Sequence, residues 1–195
     1  MRFRRLGREF YERYTVDVAR DLLGKLLVRR IEDELLVGKI VEVEAYRGRD
    51  DPASHAWRGM TPRNRIMFQG GGYAYIYFSY GNHWMFNVTT EPEGSPGAVL
   101  IRAIEPLQGI ELMRRNRGVE DLRLLTSGPG RLTKALLIDK SLNGVDLTTS
   151  TEIFIAQGDR EEKFEIAATP RIGVSGGKRR KWRFHIKGNP YVSRK

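Results

Sequence analysis

The sequence predicts an α+β fold built as one compact domain over residues 1–195. Three observations lead there. Alternating apolar and polar residues at 35–46, 73–79, 83–88 and 98–104 have the period of strands. Helical patterns are interspersed with them, without the regular βαβ alternation of a parallel sheet. No linker divides the chain. The expected architecture is a curved, mostly antiparallel sheet with flanking helices and a protruding β-hairpin.

The elements follow in order. Thr15 is placed to cap a helix running to Leu23, with Val18, Ala19, Leu22 and Leu23 on one face and Gly24 as the stop. Lys25 to Arg30 reads as a strand. Leu35 to Tyr46 reads as a longer one, with Val41, Val43 and Ala45 on one face and Glu42, Glu44 and Tyr46 on the other. Asp50 to Asn64 reads as loop. Tyr73 to Ser79 and His83 to Val88 form a hairpin around Tyr80-Gly81-Asn82. Ala98 to Ile104 is a strand, and Glu105-Pro106 is expected to open a helix ending near Gly118. Ser127-Gly-Pro-Gly130 leads into a helix over Arg131 to Ile138, Asn143-Gly144 turns, and two or three strands follow.

Composition narrows the function classes. Apolar residues make up 40% of the chain, enough for a core at this length. With no cysteine, disulfides, thiolate metal sites and a cysteine nucleophile are excluded. No membrane span or secretory signal is expected, and the default compartment is cytoplasmic. The net charge of +10 is concentrated at one end: residues 166–195 hold nine Lys/Arg and no acid, against 25 and 24 in residues 1–165. The run Lys178, Arg179, Arg180, Lys181 favours a polyanion such as nucleic acid. Trp182, Phe184 and Ile186, alternating with Arg183 and His185, read as a half-buried strand rather than a loose tail.

Several residues could carry chemistry. A carboxylate at Glu44, in a strand with apolar neighbours, is suited to orienting water, whereas Glu42 reads as an exposed strand-face residue. Glu44, Asp50, Asp51 and His55 also admit a hard-metal reading, as in a nuclease. Tyr46, Tyr77 and His55 could form a slot for a planar base, although a tyrosine stripe is ordinarily sheet packing. Tyr80, a large ring at a turn tip, could wedge into a base stack or fold back on the core. Ser127-Gly-Pro-Gly130 lacks the lysine and spacing of a nucleotide-binding loop.

Taken together these segments resemble the alkyladenine (3-methyladenine) DNA glycosylase family of the mammalian type, which also occurs in bacteria. The resemblance rests on Val41-Glu-Val-Glu-Ala-Tyr46, Thr61-Pro-Arg-Asn-Arg65 with Met67-Phe68, Tyr75-Ile-Tyr-Phe-Ser-Tyr-Gly81, Phe86-Asn87, Val99-Leu-Ile-Arg-Ala-Ile-Glu-Pro106, Ser127-Gly-Pro-Gly130 and Pro170-Arg-Ile-Gly173. They occur in family order over about residues 15–193. The Glu91–Gly97 loop is slightly longer than in the mammalian pattern, and His83 and Trp84 replace other residues.

The resemblance implies roles. Glu44 would deprotonate the attacking water, with Arg102, and a backbone carbonyl near Ile172, helping to hold that water. Tyr46, Tyr77 and His55 would sandwich the everted base. Asn87 would screen the purine 2-position, and Ser127 would lie beside the pocket. Tyr80 would fill the gap left in the duplex. Arg63, Arg65, Arg171, Lys178, Arg179, Arg180 and Lys181 are the expected contacts to the DNA backbone. The implied enzyme is a monofunctional DNA N-glycosylase, without metal or cofactor. It would act as a monomer on double-stranded DNA containing alkylated or deaminated purines and leave an abasic site. A non-catalytic binder of distorted DNA and a metal-dependent nuclease are the competing readings.

Overall fold

The structure is a computed structural model that describes residues 3–79, 81–159 and 162–193. Its centre is one curled antiparallel sheet. The chain enters through two helices, α1 (Arg8–Tyr11) and α2 (Thr15–Leu22). It then forms β1 (Leu26–Ile31), β2 (Glu34–Arg47), β3 (Ala74–Ser79), β4 (His83–Thr90) and β5 (Gly97–Gln108). Helices α3 (Ile110–Arg117), α4 (Leu122–Leu125) and α5 (Pro129–Ala135) follow, then β6 (Ile153–Ala156), β7 (Ile166–Thr169) and β8 (Arg183–Ile186). The strand order is β3-β4-β5-β2-β1-β6, and β8 joins β2 on one side and β7 on the other. The α+β expectation therefore holds, hairpin included.

Alternation along the strands separates two faces. Val41, Val43, Ala45, Ala74, Ile76, Phe86, Val88, Val99 and Ile101 enter the main core, which α2 and α5 cover from β2 and β4 respectively. The other face carries Glu42, Glu44, Tyr46, Tyr75, Tyr77, Asn87 and Arg102. Part of it is roofed by residues 50–68, which pack Ala56, Ile66, Met67 and Phe68 on Tyr75 and Ala98 in a second, smaller core.

β2 and β5 do not pair evenly. Ile40 faces Ile104, Glu42 faces Ala103 and Val43 faces Ile101. Val41 is thus the extra residue of one bulge and Arg102 the extra residue of another. A bulge re-aims a side chain, and here it turns Arg102 toward Glu42 and Glu44 of β2.

Three local expectations are corrected. Glu105-Pro106 does not open a helix: β5 runs on to Gln108. Pro106 is tolerated there because it sits at the register shift opposite Val37 and Gly38. The turn falls at Gly109, where φ is +76° and a Cβ would meet the Leu35 carbonyl at 2.8 Å. Thr15 does not cap α2 with its own side chain. Its N–H and hydroxyl both donate to Glu91 Oε1, at 2.9 and 2.7 Å, so the acceptor comes from a distant loop. The strand of Arg183–Ile186 is not half-buried by alternation, because Arg183 is as enclosed as Phe184.

Candidate active site

Alternate residues of four adjacent strands open onto a cavity of about 510 Å3. Tyr46 comes from β2, Tyr75 and Tyr77 from β3, Met85 and Asn87 from β4, and Ala98, Leu100 and Arg102 from β5. The 52–55 turn and residues 172–175 complete it. A volume of this order suits a small planar ligand.

Glu44 lies behind this lining with no exposed side-chain surface. Its Oε1 accepts the Ile172 N–H at 2.7 Å, and its Oε2 accepts the Tyr46 hydroxyl at 2.7 Å. Arg102 Nη1 stands 3.4 Å from the same Oε2. A carboxylate oxygen has two lone pairs, so Oε1 keeps one acceptor site. Burial, and then the charge and hydrogen bond of Glu44, push the Tyr46 phenol well up, so it stays a donor. Arg102 loses hydration on burial, yet Glu44 and Glu42 raise its pKa, keeping it charged.

The aromatic residues form one wall. His55 and Tyr77 meet edge to face with centroids 4.5 Å apart, which leaves no space for a ring between those two. Tyr75 tilts against Tyr77 at 5.4 Å, and its hydroxyl is hydrogen-bonded to His55 Nδ1 at 2.8 Å. Arg63 lies over the Tyr77 ring. Asn64, almost fully buried, fixes the turn that carries His55. Its amide donates to the His55 and Gly59 carbonyls, and its oxygen accepts the Thr61 N–H. Asn87 donates to the Tyr75 carbonyl at 3.0 Å, which sets its amide at the cavity.

Arg171 is a correction. It was expected on the DNA backbone, but its guanidinium is fully enclosed and forms a bidentate pair with Asp51 at 2.6 and 2.7 Å. It also donates to the Ala45 carbonyl and lies against the rings of Tyr46 and Trp182. Arg171 therefore ties the 170–173 segment, the 51–55 turn and the Tyr46 ring together. Sequence position gave no sign of this, because the partner acid lies 120 residues away. Glu42 is a second correction: it is fully buried, not exposed on the strand face.

The other expected residues divide. Arg63, Arg65, Lys178, Arg179 and Lys181 are exposed, while Arg180 is partly held by Asp50 and lies over the Trp182 ring. Ser127 faces a neighbouring cavity that shares Arg102, Met85 and Pro129 with the first, and its hydroxyl accepts from Arg131. Ile172 contributes its N–H to Glu44, where a carbonyl contact to water was expected nearby. Tyr80 lies outside the described residues. Glu44, Asp50, Asp51 and His55 are not brought together: Asp51 is held by Arg171, Asp50 by Arg47, and His55 by Tyr75. Among the described residues no three His, Asp or Glu side chains converge as a metal-binding group.

The methylpurine-DNA glycosylase (MPG) family model matches residues 9–190. The chain belongs to the methylpurine-DNA glycosylase family. Three relatives named "Putative 3-methyladenine DNA glycosylase" show how even the likeness is. That of Carboxydothermus hydrogenoformans is 49% identical over 190 residues, covering 97% of this chain and 99% of the relative. That of Chlorobium phaeobacteroides is 45% identical over 188 residues, covering 96% and 95%. That of Mesorhizobium japonicum is 49% identical over 179 residues, covering 92% and 85%.

As a methylpurine-DNA glycosylase family member, the chain is a hydrolase of base-excision repair with DNA as its substrate. Trp84 is half-buried and packs locally, whereas His83 is exposed and lines the cavity that Ser127 faces. Trp84 lies tilted against Phe78 with ring centroids 4.8 Å apart, and its carbonyl accepts from Thr133 of α5. His83 lies so close to Gly130 that a Cβ there would sit 2.6 Å from the imidazole. Asp51 and Asn64 were missed as site-building residues, though the Thr61-Pro-Arg-Asn64 motif already marked the second of them.

Proposed function

We propose that this glycosylase everts an alkylated or deaminated purine from duplex DNA and cuts its N-glycosidic bond with a water activated by Glu44. The target atom is inaccessible inside a duplex, so the nucleotide must leave the stack. The carrying observation is the environment of Glu44. Tyr46, Ile172 and Arg102 hold a buried carboxylate behind a cavity that also presents the His55–Tyr77 wall. In this reading the base lies between that wall and Tyr46. The water is bound through the remaining lone pair of Oε1, reached by a small displacement of the lining. It attacks C1′, its proton passes to Glu44, and the bonding pair leaves with the purine nitrogen.

The purine class follows from charge. An alkylated purine is cationic and a good leaving group, and each aromatic face can contribute about 0.5–2 kcal/mol to holding it. The 3-methyladenine in the relatives' names is such a base. 7-Methylguanine is a second, while hypoxanthine and ethenoadenine are the neutral members of the proposed range.

The same reading makes the enzyme monofunctional. Strand cleavage by a lyase uses an amine nucleophile, and no described lysine lines the cavity. Lys39, the lysine nearest Glu44 in sequence, is paired with Glu162 and Glu105 at 2.6 and 3.0 Å. Burial opposes its charge, but these partners raise its pKa and keep it protonated.

The test is a release assay on duplexes each carrying one lesion, run with EDTA. Expected products are the free base and an alkali-labile abasic site, with no adduct trapped by borohydride. Glu44→Gln should slow release by about 10²–10⁴-fold, the usual contribution of a general base, while duplex binding is retained. Undiminished release by that variant would overturn the mechanism.

A further inference from the structure

We propose that Glu42 is a positioning residue for base release: clamped by the C-terminal segment, its carboxylate holds the Arg102 guanidinium at a set distance from Glu44. The proposal rests on the role given above to Glu44 and Arg102.

Glu42 has no exposed side-chain surface and lies on the same face of β2 as Glu44. Its Oε1 accepts from Arg102 Nε at 2.9 Å, from Arg183 Nε at 2.7 Å and from the Ser193 hydroxyl at 2.8 Å. Its Oε2 accepts the Ser193 N–H at 2.6 Å. Burial alone would raise the Glu42 carboxyl, but Arg102, Arg183 and the Ser193 N–H hold it below the usual carboxylate range. It is therefore an anion near neutral pH.

Arg102 divides its fork between two acids. Nε is hydrogen-bonded to Glu42, Nη2 reaches the Ser193 hydroxyl at 3.5 Å, and Nη1 is left 3.4 Å from Glu44. The guanidinium is rigid and planar, so anchoring Nε fixes where Nη1 lies. Charge-assisted N–H···O contacts settle at about 2.7–2.9 Å when nothing opposes them. Glu42 opposes this one. Without it, Arg102 would close on Glu44 Oε2 and compete there with the Tyr46 hydroxyl that orients the carboxylate.

The C-terminal segment belongs to this device. Pro190, Val192 and Ser193 line the cavity beside Arg102. Arg183, paired in register with Glu44 on β8, donates to the Ser193 carbonyl as well as to Glu42. A segment some 150 residues downstream thus closes over the acid that steers the reactive centre.

The test measures steady-state base release on a single-lesion duplex for wild type, Glu42→Gln, Ser193→Ala, Arg102→Ala and the Glu42→Gln/Arg102→Ala double variant. Misplacing a reactive arrangement by about 1 Å can cost roughly 10²-fold. Glu42→Gln should therefore lower kcat by about 10–100-fold, with KM for the duplex within about threefold. Ser193→Ala, which keeps every charge, should lower kcat by roughly 3–10-fold. Adding Glu42→Gln to Arg102→Ala should cost nothing further, since the two act as one unit. Wild-type kcat in Glu42→Gln, or an equal loss with and without Arg102, would overturn the proposal. If Glu42→Gln does not fold, an unchanged kcat in Ser193→Ala would do so. Full activity in Arg102→Ala, with Glu44→Gln inactive, would sink this inference and leave the general base standing. Full activity in both variants would remove the reading on which it rests.

Discussion

His55 shows how one residue's surroundings suit it to a cationic ligand. Its ring is backed by Tyr75 and Tyr77 and open to the cavity. Desolvation where the ring packs on the tyrosines, and then the charge of Arg63, depress its pKa from 6.5 to about 4, although the residue as a whole keeps much of its surface exposed. The imidazole is thus neutral near pH 7 and adds no repulsion against a methylated purine. The same depression links His55 to stability. Between pH 6.5 and about 4 the unfolded chain binds a proton at this position that the folded chain does not, so stability falls as pH drops through this window. His55→Gln should therefore lose less stability than wild type between pH 6.5 and 4, measured by denaturant unfolding at each pH. In NMR titration the His55 ring should show a midpoint near 4. A midpoint at the ordinary value would show that the aromatic wall does not desolvate the ring.

At the scale of elements, period-two alternation made much of the sheet legible. It placed Glu44 and Tyr46 on one face of β2 and Tyr75 and Tyr77 on one face of β3, and those faces form the cavity. It also put Glu42 beside Glu44, yet a lone pattern cannot tell an exposed acid from one buried among arginines. Its partners Arg183 and Ser193 lie 141 and 151 residues away. The bulges that turn Arg102 inward were equally unreadable, because they arise from the pairing of two strands rather than from either alone. The cap of α2 has the same character. Thr15 supplies two donors, but the acceptor is Glu91 in the loop before β5. Glu91→Ala should cost on the order of 1 kcal/mol, as loss of a helix cap does. It should leave kcat for base release unchanged, because Glu91 lines no part of the cavity. Denaturant unfolding and the release assay together would check this.

At the scale of the whole molecule, charge counting located the basic segment but not the job of each cation in it. Of the cations after residue 165, Arg171 and Arg183 are buried in ion pairs, whereas Lys178, Arg179 and Lys181 are exposed. The two groups should separate experimentally. Each phosphate neutralised by an exposed cation contributes about −0.9 to the slope of log K against log salt. Replacing Lys178, Arg179 and Lys181 together by alanine should make that slope shallower by up to about 3, with thermal stability nearly unchanged. Arg171→Met should do the reverse. It leaves Asp51 buried without its partner, a loss of about 3–5 kcal/mol for a broken buried pair, and it leaves the salt slope as it was. Binding of an undamaged duplex across a salt series, with thermal unfolding of both variants, reads the two quantities independently. If the triple variant kept the full slope, the exposed run would not be where the polyanion lies. The exposed arginines Arg63 and Arg65, on the segment that roofs the cavity, would then be the cations to examine.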